Sequence, residues 1–374
     1  MDRRKFFKTS ALAGMALSSG VTGSSCMGPE ALLPFSGKRL VLVKLSGGND
    51  GLFALSPREH DIIDAARPTL AKAAKSNGIG VFEGWLLNYY LRDLEPLLGK
   101  GELALLPFVG YPSPNTSHFK SSEIWDAGFL PGEQFEKTGW IGRLLDAGTL
   151  AIPGNDAPAI SLADSEALVI KGLRKQGISW NGNEPLEWYE ADIRHWMSHH
   201  RHNRIAGQVF KAYSTLHNLS DITPQAGFPA SSLGNQLARV ASMIHKDKPY
   251  RVFYTVQSGY DTHYGAEERL KELYVDLGAS LARFARVLKA SGHWKETLVL
   301  AYSEFGRTID ENANLGTDHG AAGLCFLLGD NPIVRQYTGI VPQIKFTAIA
   351  GEIFLGHDMD FREIYAVLKS GWLV

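Results

Sequence analysis

Carboxylates and imidazoles gather in a few short polar loops of this sequence. Asp50 closes the run Gly47-Gly48-Asn49-Asp50, Asp261 and His263 follow Ser258-Gly259-Tyr260, Glu304 and Arg307 lie in SEFGRT at 303–308, and Asp318-His319 stands between Gly316 and Gly320. A further loop, Asn115-Thr116-Ser117-His118-Phe119, sets a hydroxyl beside an imidazole. Divalent ions are held by carboxylate oxygens and imidazole nitrogens. Asp50, Asp261, His263, Glu304, Asp318 and His319 could therefore furnish the shell of one Zn, Mn, Mg or Ca ion. Such an ion lowers the pKa of a water or a serine hydroxyl and neutralises an anionic ester in its transition state. Ser117 is the candidate nucleophile, Glu304 a ligand or base, and His118 or Arg307 the group that steadies the anion, Arg307 by bidentate pairing. Each residue also has a plainer use: Asp50 as a cap, Asp261 with His263 as a mutual hydrogen bond, Glu304 with Arg307 as an ion pair, Ser117-His118 as the turn that opens a helix.

These loops need elements to hold them. The run RLVLVKL at 39–45 reads as a buried strand, and further strands are expected at 102–108, 158–162, 250–257, 297–303 and 322–328. Helical patterns fall at 85–98, 119–127, 139–147, 231–245, 267–290 and 360–371. Alternating strands and helices predict an α/β fold of three layers, a largely parallel central sheet with helices on both faces. In such sheets functional groups collect beyond the carboxyl ends of the strands, which is where most of these loops fall. Residues 171–230, rich in Trp, His and Asn, read as a helical insertion or lid, and 39–374 as a single domain. Within the insertion, His195 and His199 share a helical spacing, but Trp196 stands where a zinc-protease helix needs glutamate. Trp85, Trp125, Trp140, Trp180 and Trp196 serve a core or stack on sugar rings.

The amino terminus reads as an address. Arg3-Arg4, then Phe6-Phe7-Lys8 and a short apolar run, resemble a twin-arginine export signal, with Asp2 where Ser or Thr is usual. Small residues before Cys26 suggest a lipoprotein site and a lipid anchor there, and 27–38 reads as a linker. Cys325, within an apolar run, reads as a buried core residue. The expected location is the periplasm or cell surface, with the export machinery as a partner. Two cysteines exclude a disulfide scaffold and thiolate metal clusters. A formal net charge of -1 offers no positive field for nucleic acid.

Taken in order, GGNDG at 47–51, SHF at 117–119, TGWIGR at 138–143, DTH at 261–263, SEFGRT at 303–308, GTDHG at 316–320 and the closing DFREIYAVLKSGWLV at 360–374 resemble domain-of-unknown-function family 1501. That family is grouped with the alkaline phosphatase and sulfatase superfamily. The resemblance implies a mixed central sheet with a metal site at the strand ends. It implies Asp50 as the first carboxylate ligand, Ser117 or Thr116 in the nucleophile loop, Asp261 and His263 as the next ligand pair, and His319 as the last histidine. Glu304-Phe305 departs from the Asp-His usual in the superfamily, and a phenyl ring cannot bind a metal, so one ion, or a repurposed pocket with none, is expected rather than two. The spacing of Asp261 and His263 is also tighter than the superfamily's four-residue separation.

The expected function is an exported, metal-assisted hydrolase or transferase acting on a phosphate or sulfate ester, the substrate being an anionic ester or a cell-envelope glycan. The rival is a non-catalytic periplasmic or surface protein that binds a glycan or an assembly partner on the same fold.

Overall fold

Residues 39–45 are buried almost without a break, a pattern open only to a central strand covered on both faces. The computed structural model describes residues 37–130, 137–155, 157–182, 195, 219, 221–349 and 352–374. The export leader, Cys26, most of the linker, most of the 171–230 insertion, His199 and Trp196 lie outside the described residues. No helix among the described residues is long and apolar enough to cross a membrane.

The strands are β1 Arg39–Ser46, β2 Leu55–Pro57, β3 Ile79–Phe82, β4 Trp85–Leu87, β5 Leu103–Gly110, β6 Ala159–Ser161, β7 Ile178–Ser179, β8 Val252–Ser258, β9 Thr297–Tyr302, β10 Gly323–Leu328, β11 Phe346–Ile349, β12 Glu352–Leu355 and β13 Met359–Asp360. Eight of them form one sheet in the order β13-β5-β10-β9-β1-β8-β6-β7. β1 lies parallel to β8 and β9 with Lys44 beside Val256 and Tyr302, and β6 continues parallel from β8. Only β10 runs against its neighbours, β5 and β9. The fold is thus the expected largely parallel α/β sheet. The reversal of β10 has a consequence for chemistry. The loop before β10, carrying Asp318-His319, emerges at the same sheet edge as the loops that follow β1, β5, β8 and β9.

Alternating side chains send each strand's apolar residues to two separate cores. Val41, Val43, Phe253, Val299 and Phe326 face the Ser232–His245 and Ala266–Ala290 helices. Leu40, Leu42, Leu300, Tyr302 and Leu327 face the His118–Ala127, Trp140–Asp146 and Phe361–Val367 helices. Trp125 stacks on Tyr302 at 5.2 Å and on Phe361 at 4.5 Å, so it and Trp140 serve the core, as does the buried Cys325.

The helix expected over 85–98 is corrected. Trp85–Leu87 instead pairs antiparallel with both β2 and β3. The Asn88 side chain accepts a hydrogen bond from Tyr90 N and opens a 3-10 turn, and only Glu95–Leu98, with Pro96 in its first turn, is α-helical. Three large apolar residues followed by a capping Asn satisfy a strand end as readily as a helix. The start of the insertion is also not helical: Ile178–Ser179 pairs with β6 as the edge strand β7.

Candidate metal centre

The loop after β1 can approach the other loops because it lacks side chains. Gly47 and Gly48 have φ of +122° and +80°, and a Cβ on either would fall 2.4 Å from Asp261 N or 2.5 Å from the Phe305 ring. Only glycine tolerates both that conformation and that contact. Ser303 Oγ donates to Leu45 O at 2.6 Å and accepts from Asn49 N at 2.9 Å, locking the same loop to the end of β9.

Around this frame three histidines meet one carboxylate. The Asp261 Oδ1 atom lies 3.3 Å from His118 Nε2, 3.0 Å from His263 Nε2 and 3.2 Å from His319 Nε2. The other ring nitrogen of each histidine faces an acceptor. His319 Nδ1 donates to Thr116 O at 2.7 Å, His118 Nδ1 to Glu304 Oε1 at 2.8 Å, and His263 Nδ1 to Asp318 Oδ1 at 2.7 Å. A carbonyl or carboxylate oxygen can only accept, so each neutral imidazole carries its proton on Nδ1 and turns the Nε2 lone pair inward. His118 Nε2 is buried with no hydrogen-bond partner among the described residues. His263 and His319 bring their Nε2 atoms to 3.0 Å of each other. Arg307 Nη2 already meets that carboxylate oxygen at 2.6 Å, and a further cation, a shared proton or a divalent ion, would relieve the crowding of the ring nitrogens. Imidazoles whose second nitrogen is held by a carboxylate or carbonyl are the usual donors to such an ion. His118, Asp261 and His319 bring one ligand atom each to within 4.8 Å of one another, a set that fits a divalent metal, with His263 beside it.

Neighbouring charges and burial shift these groups in different directions. The Glu304 hydrogen bond holds the His118 pKa above its ordinary value against the opposing effect of burial. Burial would raise Glu304, but the His118 bond, the Lys44 charge and backbone N–H groups, Gly47 N among them at 2.9 Å, bring it below the usual carboxylate range. Burial pushes His319 down. Burial also works to raise Asp261, yet the Arg307 hydrogen bond and charge, helped by His118 and His263, lower it to about 2.

Several expected roles change. Asp50 is not at the cluster: both its oxygens meet Arg67 Nη1 at 2.9 and 3.0 Å, and Oδ1 also caps Phe53 N at 3.0 Å, so it is a buried ion pair and N-cap rather than a free ligand. Nothing in the sequence joined it to Arg67. Arg307 cannot clamp a substrate anion. Its side chain is 0% exposed, with Nε on Gly48 O, Nη1 on Thr317 O, and Nη2 on Gly47 O, Tyr260 O and, at 2.6 Å, Asp261 Oδ1. It ties three loops to the central carboxylate. Asp318 and Glu304 meet ring Nδ1 atoms and act as orienting acceptors, whereas His118 joins the inward-facing nitrogens. Phe305 packs its ring 4.8 Å from His118 and 5.0 Å from His319 and floors the cluster.

Ser117 opens the His118–Ala127 helix without capping it, is exposed, and its hydroxyl makes no hydrogen bond among the described residues. It is bracketed, however, by Thr116, whose carbonyl holds His319, and by His118 itself. Asp261, His263 and Asp318 keep solvent-exposed side chains, so the cluster is open on one side. The two roles that left no trace in the sequence are the Thr116 carbonyl, a backbone group, and the phenyl floor.

Comparison with known proteins adds distant likenesses. The C-terminal periplasmic domain of EcEptC from Escherichia coli, in complex with Zn, is 10% identical over 82% of this chain and 79% of that one, with a TM-score of 0.43. PsFucS1 sulfatase from Pseudoalteromonas sp. is 11% identical over 97% and 71%, with a TM-score of 0.40. A protein in the alkaline phosphatase superfamily from Vibrio parahaemolyticus is 10% identical over 96% and 84%, with a TM-score of 0.37. No curated protein matches the chain. The family model described as "Protein of unknown function (DUF1501)" matches residues 230–331, the stretch that supplies Asp261, His263, Glu304, Arg307, Asp318 and His319.

Proposed function

We propose that the protein is a metal-assisted hydrolase or transferase of an anionic ester, a phosphate or sulfate, exported by the twin-arginine route and tethered through Cys26. The observation that carries the reading is the convergence of His118, His263 and His319 Nε2 on Asp261 Oδ1 with every Nδ1 held by an acceptor. His118, His319 and Asp261 would hold one ion, with His263 next to them against His319 and Asp261. Nitrogen-rich donors favour zinc over magnesium or calcium, which take oxygen ligands. When bound, the ion supplies a Lewis acid that neutralises the ester's oxygens and acidifies a hydroxyl or water beside it.

The chain's own residues do the rest. Arg307 and the orienting acceptors keep the donors in place before any ligand arrives. The amino end of the His118–Ala127 helix, left without a side-chain cap, offers its first N–H groups and positive dipole end to an anion. Ser117, at that end and in the exposed loop, would be the attacking hydroxyl.

The test is elemental analysis of protein purified from the exported fraction without chelator, then a screen of phosphate and sulfate esters. Stoichiometric zinc, with turnover that Ser117→Ala abolishes while metal is retained, supports the reading. Failure to take up zinc, manganese, magnesium or calcium after reconstitution overturns it. The second reading, binding without turnover, is favoured by the complete use of Arg307 inside the fold, which leaves the expected anion clamp missing. Tight anion binding by a metal-loaded protein that turns over no ester would establish it.

A further inference from the structure

The stretch 112–117 brings the Thr116 carbonyl and Ser117 to the cluster, yet its own peptide groups hold it poorly. Pro112 and Pro114 have no N–H to give. Ser113 sits at φ +53°, a left-handed conformation that is costly for a residue with a side chain. Among the described residues, no N–H of 112–117 bonds a backbone carbonyl. Side chains hold the stretch instead. Asn115 N donates to the Tyr111 hydroxyl at 2.9 Å, and Ser117 N to Asn115 Oδ1 at 2.9 Å. The Tyr111 hydroxyl lies 3.0 Å from Ser121 Oγ, and Ser121 Oγ donates to Glu304 O at 2.5 Å.

These contacts have one direction. A serine hydroxyl carries a single proton, and a carbonyl can only accept. Ser121 gives its proton to Glu304 O, so the Tyr111 hydroxyl donates to Ser121 Oγ and its oxygen accepts from Asn115 N. Burial raises the Tyr111 pKa, which keeps the phenol protonated for this duty. Tyr111 is 2% exposed and Ser121 0%, so bulk water does not stand in for either. Both ends of the chain carry contacts of the site. The Glu304 side chain holds His118 Nδ1, and Thr116, next to Asn115, holds His319 Nδ1 through its carbonyl.

We infer that Tyr111 is a positioning residue of the metal centre: its hydroxyl ties the stretch 112–117 to the end of β9, and so fixes the Thr116 carbonyl and Ser117 relative to Glu304 and His118. This rests on the metal-assisted reading and names a residue outside the cluster that keeps it assembled. The Tyr111 ring packs edge-on against Phe361 at 5.8 Å, so Tyr111→Phe removes the hydroxyl and leaves the core contact.

The experiment measures zinc affinity, by competition with a chromogenic chelator, in the full-length protein, Tyr111→Phe, Ser121→Ala and the double variant, with thermal unfolding of the metal-free proteins alongside. Each single substitution should weaken zinc binding by about tenfold. Because both cut one chain, the double variant should be no weaker than the worse single one, against about 100-fold for independent effects. Asn115→Asp, which keeps the oxygen that accepts from Ser117 N, should retain the affinity. Should Tyr111→Phe fail to fold, Ser121→Ala decides alone, since it cuts the same chain. A lowered unfolding midpoint with unchanged zinc affinity would make the chain a fold contact only and overturn the inference, as would additive losses, and either result leaves the ester reading standing. No zinc uptake by the unsubstituted protein overturns both.

Discussion

His263 Nε2 and His319 Nε2 stand 3.0 Å apart while the Nδ1 atoms behind them bond Asp318 and the Thr116 carbonyl. Two neutral imidazoles fixed this way present lone pair to lone pair. Such a pair is relieved by a proton shared between the rings or by a cation bound to both, and Asp261, within 3.2 Å of both and already paired with Arg307, lies where it would join such a cation.

Removal of a donor should therefore remove metal. His263→Ala, His319→Ala and Asp261→Ala are each expected to lower zinc content sharply, by elemental analysis, with far-ultraviolet circular dichroism unchanged. Retained stoichiometric zinc in all three would overturn the donor assignment.

Asp50→Asn should behave in the opposite way. The variant keeps its metal but breaks a buried pair with Arg67, at a cost of about 3–5 kcal/mol of stability. Chemical denaturation together with metal analysis separates the two effects. A variant that loses zinc while keeping its denaturation midpoint would restore Asp50 to the ligand set.

The orienting acceptors should matter through affinity. Glu304→Gln and Asp318→Asn keep a carbonyl oxygen able to accept from Nδ1 but lose the charge behind it. Each should weaken zinc binding by roughly 10–100-fold, read by competition with a chromogenic chelator. Glu304→Gln is expected to have the larger effect, because Glu304 is fully buried and Asp318 is exposed.

Asp360 offers a pH test away from the cluster. Its carboxyl caps the Phe361–Val367 helix and pairs with Arg362 at 2.7 Å. Burial would raise its pKa, but the Arg362 side chain and backbone N–H bring it below the usual range. The unfolded chain therefore takes up a proton first as pH falls. The stabilisation is present above an unfolded pKa of about 4 and is lost as pH drops through the lower folded value. Asp360→Asn, which keeps the cap but cannot titrate, should flatten the acid limb of the stability profile; parallel profiles for the two proteins would refute it.

The strand-and-helix rhythm was legible because burial on both faces leaves long apolar runs, as at 39–45 and 297–302, and long helices repeat at 3.6 residues, as at 266–290. The polar loops at 261–263 and 316–320 could be read as a site because two titratable groups beside glycines have little packing use. The short strands at 55–57 and 79–82 could not be, since three or four residues carry too little period to register.

By itself the sequence determined which chemical groups reach the open edge of the sheet and that thiolates are not among them. Only the tertiary structure decided their roles. Arg67 claims Asp50, Arg307 is consumed by loop carbonyls, and His118 is turned inward by Glu304, 186 residues away. The physical reason is that a ligand is defined by which nitrogen or oxygen keeps a free lone pair. That depends on hydrogen bonds between loops distant in the chain, including one to a backbone carbonyl that no side-chain pattern records.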